Sequence, residues 1–322
     1  MGEKLLEIKN LKTTFKTLRG MVTAINGVSF SVSSGEILGI VGESGCGKSV
    51  TSQSIMRLYD EKNLARYEGE VYFRGKNILT LPEKEMEAIR GNEIAMIFQD
   101  ALSSLDPVFT VGEQIVETIM QHQKISKAEA RKKAVEILKQ TGIPAPEKRV
   151  NSYPHEMSGG MRQRAMIAMA LCCKPSLLIA DEPTTALDVT IQKQIMDLID
   201  EIKREFKTTI LLISHDLALV SNYADKVSVM YAGHIVEEAP ADEFFKHPQH
   251  PYSIALLNSL PEKNPALKLK TIEGAPPSIQ EEIFGCKFHP RCEYFKAGVC
   301  DTKEPKLIEK SIYHCSACFI NL

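Results

Sequence analysis

The nine residues Val41-Gly42-Glu43-Ser44-Gly45-Cys46-Gly47-Lys48-Ser49 constrain this chain more than any other stretch. The apolar run Ile37-Leu38-Gly39-Ile40 precedes them, and a segment that reads as helix follows, with Ile55 and Leu58 three apart. Strand, glycine-rich turn and helix, in that order, is the context in which the pattern G-x-x-x-x-G-K-[ST] binds phosphate. Gly42, Gly45 and Gly47 let successive backbone N–H groups curl around an anion with no Cβ in the way. The unpaired N–H groups at the helix start add partial positive charge at the same place. In such a loop Lys48 reaches toward the β- and γ-phosphates and the Ser49 hydroxyl ligates Mg²⁺. The competing reading is an ordinary glycine turn, and the strand–helix context argues against it.

The 322 residues suffice for one large domain or two smaller ones with a sizeable core. A net charge of −2 gives no electrostatic case for nucleic acid or an anionic membrane surface. The first fourteen residues carry charges throughout and lack the apolar centre of a signal peptide. No apolar run approaches the roughly 20 residues needed to span a bilayer, so a membrane role is expected to come through partner subunits. Structural disulfides are not expected among the eight cysteines, five of which lie between Cys286 and Cys318.

Leu6 and Ile8, then Val28, Phe30 and Val32, alternate as short antiparallel strands do. Val71 and Phe73 before Arg74-Gly75-Lys76-Asn77 predict a hairpin. Ala95-Met96-Ile97-Phe98 reads as a short buried strand ending at Gln99, and residues from about 111 to 142 read as helical. Ser126 with Glu129 forms a capping box there, and Gly142 supplies a stop. Leu177-Leu178-Ile179-Ala180 and Thr209-Ile210-Leu211-Leu212-Ile213 have the continuous apolar character of strands covered on both faces. Ile191, Ile195, Leu198, Ile199, Ile202 and Phe206 recur between them at helical spacing, which predicts a strand–helix–strand unit with those six side chains in the core. Val227, Val229 and Tyr231, then Ala232-Gly233, then Ile235 and Val236, predict a closing hairpin. Prolines thicken after about Ala239 and mark an extension leading to the cysteines.

Asp181 stands at the end of the Leu177–Ala180 strand, where it can hold Mg²⁺ directly or through water. Glu182 follows and is the candidate general base for an attacking water. Ligands bind at the carboxyl ends of strands in parallel sheets, which suits this pair.

Ser158-Gly159-Gly160-Met161-Arg162-Gln163 resembles the signature motif of the ATP-binding cassette (ABC) ATPases. Gln99 matches that family's Q-loop, Ala186-Leu187-Asp188 its D-loop and His215 its switch histidine, all in the family's order. The resemblance covers roughly residues 4 to 260. It implies an α/β fold: an ABC nucleotide-binding domain with a RecA-like parallel sheet core, an antiparallel β subdomain and a helical signature subdomain. The expected boundaries are 1–245 for that domain, with the helical part at about 100–165, and 246–322 for a C-terminal cysteine-rich extension. The resemblance further implies that Phe15 stacks on adenine, a core phenylalanine being the alternative. Gln99 would contact Mg²⁺ and the lytic water, and His215 the γ-phosphate unless it is simply packed. Ser158 and Gly160, beside Gly159, would contact the γ-phosphate bound to an opposing subunit, and Asp188 would bridge to that subunit. Two departures are small: Met157 opens the signature where leucine is commoner, and Met161 replaces glutamine. Cys46, Cys172 and Cys173 read as small packed residues rather than reactive thiols.

Ser152-Tyr153-Pro154-His155-Glu156, Ala186–Gln192, His250-Pro251-Tyr252-Ser253 and Gly285-Cys286-Lys287-Phe288-His289-Pro290-Arg291-Cys292 are similar to the dipeptide, oligopeptide and nickel importers of that family. Cys286, Cys292, Cys300 and Cys315 follow C-x5-C-x7-C-x14-C, and Cys318 makes a C-x2-C pair with Cys315. Four thiolates suit an iron–sulfur cluster or zinc, and spacing alone leaves those two and an unligated set open. The resemblance implies a [4Fe–4S] cluster on Cys286, Cys292, Cys300 and Cys315, with Cys318 spare or a substitute for Cys315.

The expected protein is therefore an ATPase using ATP and Mg²⁺ to energise import of di- or oligopeptides, or alternatively nickel, at the cytoplasmic face of the membrane. Its implied partners are a second ABC ATPase in a head-to-tail dimer, two membrane permeases that dock near Ser103 to Val111, and an extracytoplasmic binding protein. Val108 and Phe109 either join that dock or pack inward. A soluble ABC ATPase of translation or DNA repair is the rival, and the single cassette without a long inserted coiled coil speaks against it.

Overall fold

The computed structural model describes residues 3–18, 20–99, 104–185, 188–259, 272–279 and 281–321. Two compact units make up the chain, residues 1–80 together with 212–322, and residues 81–211.

The first unit opens with an antiparallel sheet in the order β2-β1-β4-β5, where β1 is Lys4–Thr17, β2 Gly20–Ser33, β4 Ala65–Phe73 and β5 Lys76–Asn77. Leu6 and Ile8 on β1 and Val28, Phe30 and Val32 on β2 are buried, as their alternation predicts, and Leu11 beyond a register shift is buried as well. Arg74 and Gly75, both at positive φ, make the tight turn between β4 and β5. The second sheet of this unit runs β11-β12-β10-β9-β3, with β3 at Ile37–Val41, β9 at Lys226–Tyr231, β10 at His234–Pro240, β11 at Ile308–Ser311 and β12 at His314–Ser316. β3 pairs with β9 in parallel and is buried along its whole length. Helix Leu217–Tyr223 lies close enough that a Cβ on Gly39 would meet Val220 at 2.6 Å. The C-terminal residues belong to this unit: β12 pairs antiparallel with β10, Glu238 opposite Cys315.

In the second unit β6 (Ile94–Ile97) and β7 (Leu177–Asp181) pair in parallel, and both are fully buried. The helical stretch expected from about 111 to 142 is two helices, Val111–His122 and Lys127–Gln140. Each begins with a reciprocal capping box, Thr110 with Glu113 and Ser126 with Glu129. Gly142, at φ +72°, ends the second in a Schellman arrangement: its N–H donates to Lys139 O and that of Ile143 to Leu138 O. The long helix Val189–Phe206 buries Ile195, Leu198, Ile199 and Ile202. Ile191 and Phe206, expected in the core, are only half-buried, and the Lys174 ammonium lies 5.0 Å from the Phe206 ring centre. Strand β8, Thr209–Ser214, carries the division between the units.

Candidate functional site

The phosphate loop lies in the first unit, between β3 and the helix Lys48–Ile55. Its glycines take positive φ at Gly42 (+154°), Gly45 (+79°) and Gly47 (+107°). A Cβ on Gly42 would come within 2.2 Å of the Met230 carbonyl oxygen, and one on Gly47 within 2.9 Å of Ile25. Space as well as dihedral thus demands glycine at both positions. Lys48 Nζ donates to the carbonyls of Gly42 (2.8 Å) and Glu43 (3.0 Å), which holds the ammonium over the loop. Cys46 is buried under it, and burial pushes its thiol pKa up, so it is packing rather than a nucleophile. Ser44 and Gly45 are exposed at the tip, and Ser49 is half-buried in the first turn of the helix. The helix stops at Ile55, before Leu58, and Arg57 turns the chain at φ +50°. Phe15, half-buried on β1, packs edge-on to Tyr59 with ring centres 4.7 Å apart. His215 follows β8 and is exposed.

The catalytic candidates of the second unit form their own constellation. Asp181 closes β7 and is 2% exposed. Glu182 has φ +48°, a left-handed conformation that is costly for a residue with a Cβ and that turns its side chain away from the strand's alternation. Its Oε2 accepts from Gln99 Nε2 and from Thr185 Oγ1, both at 2.9 Å. Gln99, which follows β6, and Glu182, which follows β7, are thus held together at the carboxyl ends of two parallel strands. Gln163, in the helix Gly159–Leu171, donates to the Pro183 carbonyl and ties the signature helix to the same turn. Ser158 caps that helix by accepting from Met161 N–H, and Gly159 and Gly160 form its first turn. Asp188 caps the helix Val189–Phe206, accepting from Ile191 N–H at 2.9 Å. Ala186 and Leu187, the remainder of the D-loop, and Ser103 lie outside the described residues.

The tail contributes contacts that sequence reasoning missed. Arg291 forms a bidentate ion pair with Glu43 of the phosphate loop, and Tyr252 Oη accepts from Glu43 N–H at 2.8 Å. Both residues sit in stretches that marked the resemblance, but nothing in their spacing points to the loop. A second buried knot centres on Glu237, which accepts from Gln249 N–H, His250 N–H and His314 Nε2.

The expected thiol quartet is not the set that the fold gathers. Cys286, Cys292, Cys300 and Cys318 line one small cavity of about 10 Å³ together with His250. Cys315 is on β12 between His314 and Ser316, which turn toward Glu237 and Gln249. Strand alternation puts its side chain on the other face, the face of Glu238. Burial pushes the Cys286 thiol up to about 11 and raises Cys292 and Cys318 as well. Among the described residues no group of three or more His, Cys, Asp or Glu side chains stands in a geometry to hold a metal ion. One buried atom at this cavity does ask for a partner: His250 Nδ1 accepts from Tyr252 N–H, so Nε2 carries the proton, and Nε2 has no hydrogen-bond partner. His250 lines the same cavity as the four thiols, so its Nε2–H is a donor in a thiol-lined pocket.

The first unit thus carries a phosphate loop on a strand–helix turn, and the second a strained Glu beyond a buried Asp and a serine-capped Gly-Gly helix. Residues 25–185 match the family described as ABC transporter, and residues 236–300 the family described as oligopeptide/dipeptide transporter, C-terminal region. The chain belongs to the ABC transporter family, as an ATPase with the ABC nucleotide-binding fold. It is 53% identical to the oligopeptide transport ATP-binding protein OppD of Bacillus subtilis over 90% of this chain and 82% of that protein. It is 47% identical to the dipeptide transport ATP-binding protein DppD of the same organism, over 99% and 95%. The dimeric cassette MJ0796, in a post-hydrolysis state with ADP and Pi, superposes with a TM-score of 0.66 at 29% identity, covering 73% of this chain and 98% of that one. No helix among the described residues is long and apolar enough to cross a membrane.

Proposed function

We propose that this chain is the ATPase subunit of an importer of di- or oligopeptides, working at the cytoplasmic face of a membrane through permease partners. The observation that carries the reading is that one chain matches the ABC transporter family over residues 25–185 and the C-terminal region of the oligopeptide/dipeptide transporters over residues 236–300. The high coverage of both the OppD and DppD relatives supports it.

In this reading Lys48 and the loop N–H groups bind the phosphates, Phe15 stacks on adenine, and Ser49, Asp181 and Gln99 hold Mg²⁺. Glu182 takes the proton of the attacking water, and His215 hydrogen-bonds the γ-phosphate. Ser158, Gly159 and Gly160 act on the nucleotide of a second ATPase, the same chain or a paralogue, and Asp188 bridges to that subunit, so that efficient hydrolysis needs a head-to-tail pair. Val108 and Phe109 are 70% and 51% exposed, which suits a seat for a permease. An extracytoplasmic binding protein would deliver the peptide to the permeases.

Cys286, Cys292, Cys300 and Cys318 are the set we assign to a [4Fe–4S] cluster, with zinc as the alternative, and His250 Nε2–H would donate to a sulfur there. Such a cluster would supply a cross-link for the tail and a redox-sensitive centre. Co-purification from gently solubilised membranes tests the transport reading. Recovery of two permeases, with a binding protein that takes peptides, is the expected outcome. Recovery of ribosomal or DNA-repair partners alone would overturn it, and a binding protein that takes Ni²⁺ instead would change the cargo.

A further inference from the structure

Glu43 poses an electrostatic problem. It is the second residue of a loop whose N–H groups gather to hold a polyphosphate, yet it brings a carboxylate to that anion site. Arg291, 248 positions later, answers it: Nη1 donates to Glu43 Oε2 at 2.7 Å and Nη2 to Oε1 at 3.0 Å. The other three guanidinium N–H groups are also used. Nη1 donates to Tyr231 Oη at 3.3 Å, Nη2 to the Gly274 carbonyl at 3.2 Å and Nε to the Glu273 carbonyl at 3.0 Å. Five donors meet five acceptors, and the Arg291 side chain is only 6% exposed. Tyr252 Oη fixes the Glu43 backbone from the same side. Tyr231, Tyr252 and Phe288 pack tilted and edge-on into one aromatic group beside the pair, with ring centres 4.6–5.3 Å apart.

We propose that Arg291 is a positioning residue for ATP binding: its fork neutralises Glu43 and holds that carboxylate off the path of the phosphates. The C-terminal extension thereby sets the nucleotide affinity of the cassette. A planar fork with five fixed donors is needed, and lysine, with three donors on a mobile stem, cannot reproduce it. Without Arg291 the Glu43 carboxylate is uncompensated beside a polyanion, so affinity falls. The proposal rests on the loop being the ATP site and is independent of what is transported or of what the cysteines hold.

The test is Mg²⁺-ATP affinity, read with a fluorescent nucleotide on the full-length protein, alongside KM and kcat for hydrolysis and the thermal midpoint. Arg291→Gln is expected to raise Kd and KM about tenfold with kcat changed far less. Adding Glu43→Gln to Arg291→Gln should restore most of the affinity that Arg291→Gln loses. A merely structural staple predicts the opposite, a double variant no better than Arg291→Gln. Unchanged affinity in Arg291→Gln, or no rescue by Glu43→Gln, would overturn the proposal. Should Arg291→Gln not fold, Arg291→Lys asks the same question. It should bind several-fold more weakly and be relieved by Glu43→Gln, and wild-type affinity there would equally refute the role. Nucleotide binding by the wild type in the same assay separates failure of this proposal from failure of the site itself.

Discussion

Gln99 Nε2 and Glu182 Oε2 are 2.9 Å apart, a hydrogen bond between the side chains that end two neighbouring parallel strands. The bond puts the candidate base and a candidate Mg²⁺ contact in one unit, so that whatever moves the Gln99 segment moves the carboxylate. Ser104 to Thr110, just beyond Gln99, carries the exposed Val108 and Phe109.

Glu182→Gln keeps the shape and the capacity to accept from Gln99 and Thr185 but cannot take a proton. ATP hydrolysis should fall about 10²–10⁴-fold while Mg²⁺-ATP binding persists. Single-turnover hydrolysis and nucleotide affinity, measured on the same preparation, check this. Turnover at the wild-type rate would remove Glu182 from the role of general base.

Most of this half of the site is legible in the sequence because its signals are local. The Asp-Glu pair follows an apolar run, and Ser158 and Asp188 are helix caps visible as residue types. The hydrogen bond between Gln99 and Glu182 is not legible, since it depends on β6 and β7 being neighbours in space. The same limit hides Arg291 and Glu43. Which thiols line one cavity is hidden for a different reason: spacing counts residues, whereas strand alternation decides which face a side chain takes. Cys315 falls on the face of β12 away from the cavity, and Cys318, beyond the strand's end, lines it. Leu58 lies past a helix that ends at Ile55, because periodicity marks a face and not a terminus.

The glycines of the phosphate loop should separate into two grades. Gly42→Ala drives a Cβ to within 2.2 Å of a backbone oxygen that cannot swing aside. It should cost about 1–3 kcal/mol of stability or displace the loop, and abolish nucleotide binding in either case. At Gly45 no heavy atom lies within 4 Å of the place a Cβ would take, so Gly45→Ala meets only the left-handed penalty of about 1–2 kcal/mol. Thermal unfolding and nucleotide affinity of the two variants should rank in that order, and equal behaviour would mean that dihedral strain alone governs the loop.

Glu237 is fully buried and accepts from two backbone N–H groups and from His314, itself fully buried. Glu237→Ala would strand all three donors at once. Each buried unsatisfied group costs about 1–3 kcal/mol, so a loss of at least about 3 kcal/mol is expected, seen as a lowered thermal midpoint. Because β10 joins β12 to β9, the variant should also expose the tail to protease before the rest of the chain. A loss below about 1 kcal/mol would show that water takes over the three donors.

The cysteines allow the sharpest discrimination, because two candidates stand three positions apart, Cys315 on β12 and Cys318 beyond its end, and only Cys318 lines the cavity. If the cavity set holds iron and sulfide, Cys318→Ser should lower iron and acid-labile sulfide in anaerobically purified protein, together with its charge-transfer absorption. Cys315→Ser should leave all three near the wild-type level, since Cys315 faces Glu238 and not the cavity. His250→Ala removes the one buried donor at the cavity that lacks a partner and should make the cluster easier to bleach in air rather than prevent its assembly. Zinc in place of iron, with the same dependence on Cys318, would keep the ligand set and change the metal. Loss in Cys315→Ser with retention in Cys318→Ser would mean that the loaded tail reorganises β12, and that the thiols find a partner which their arrangement in this structure does not anticipate.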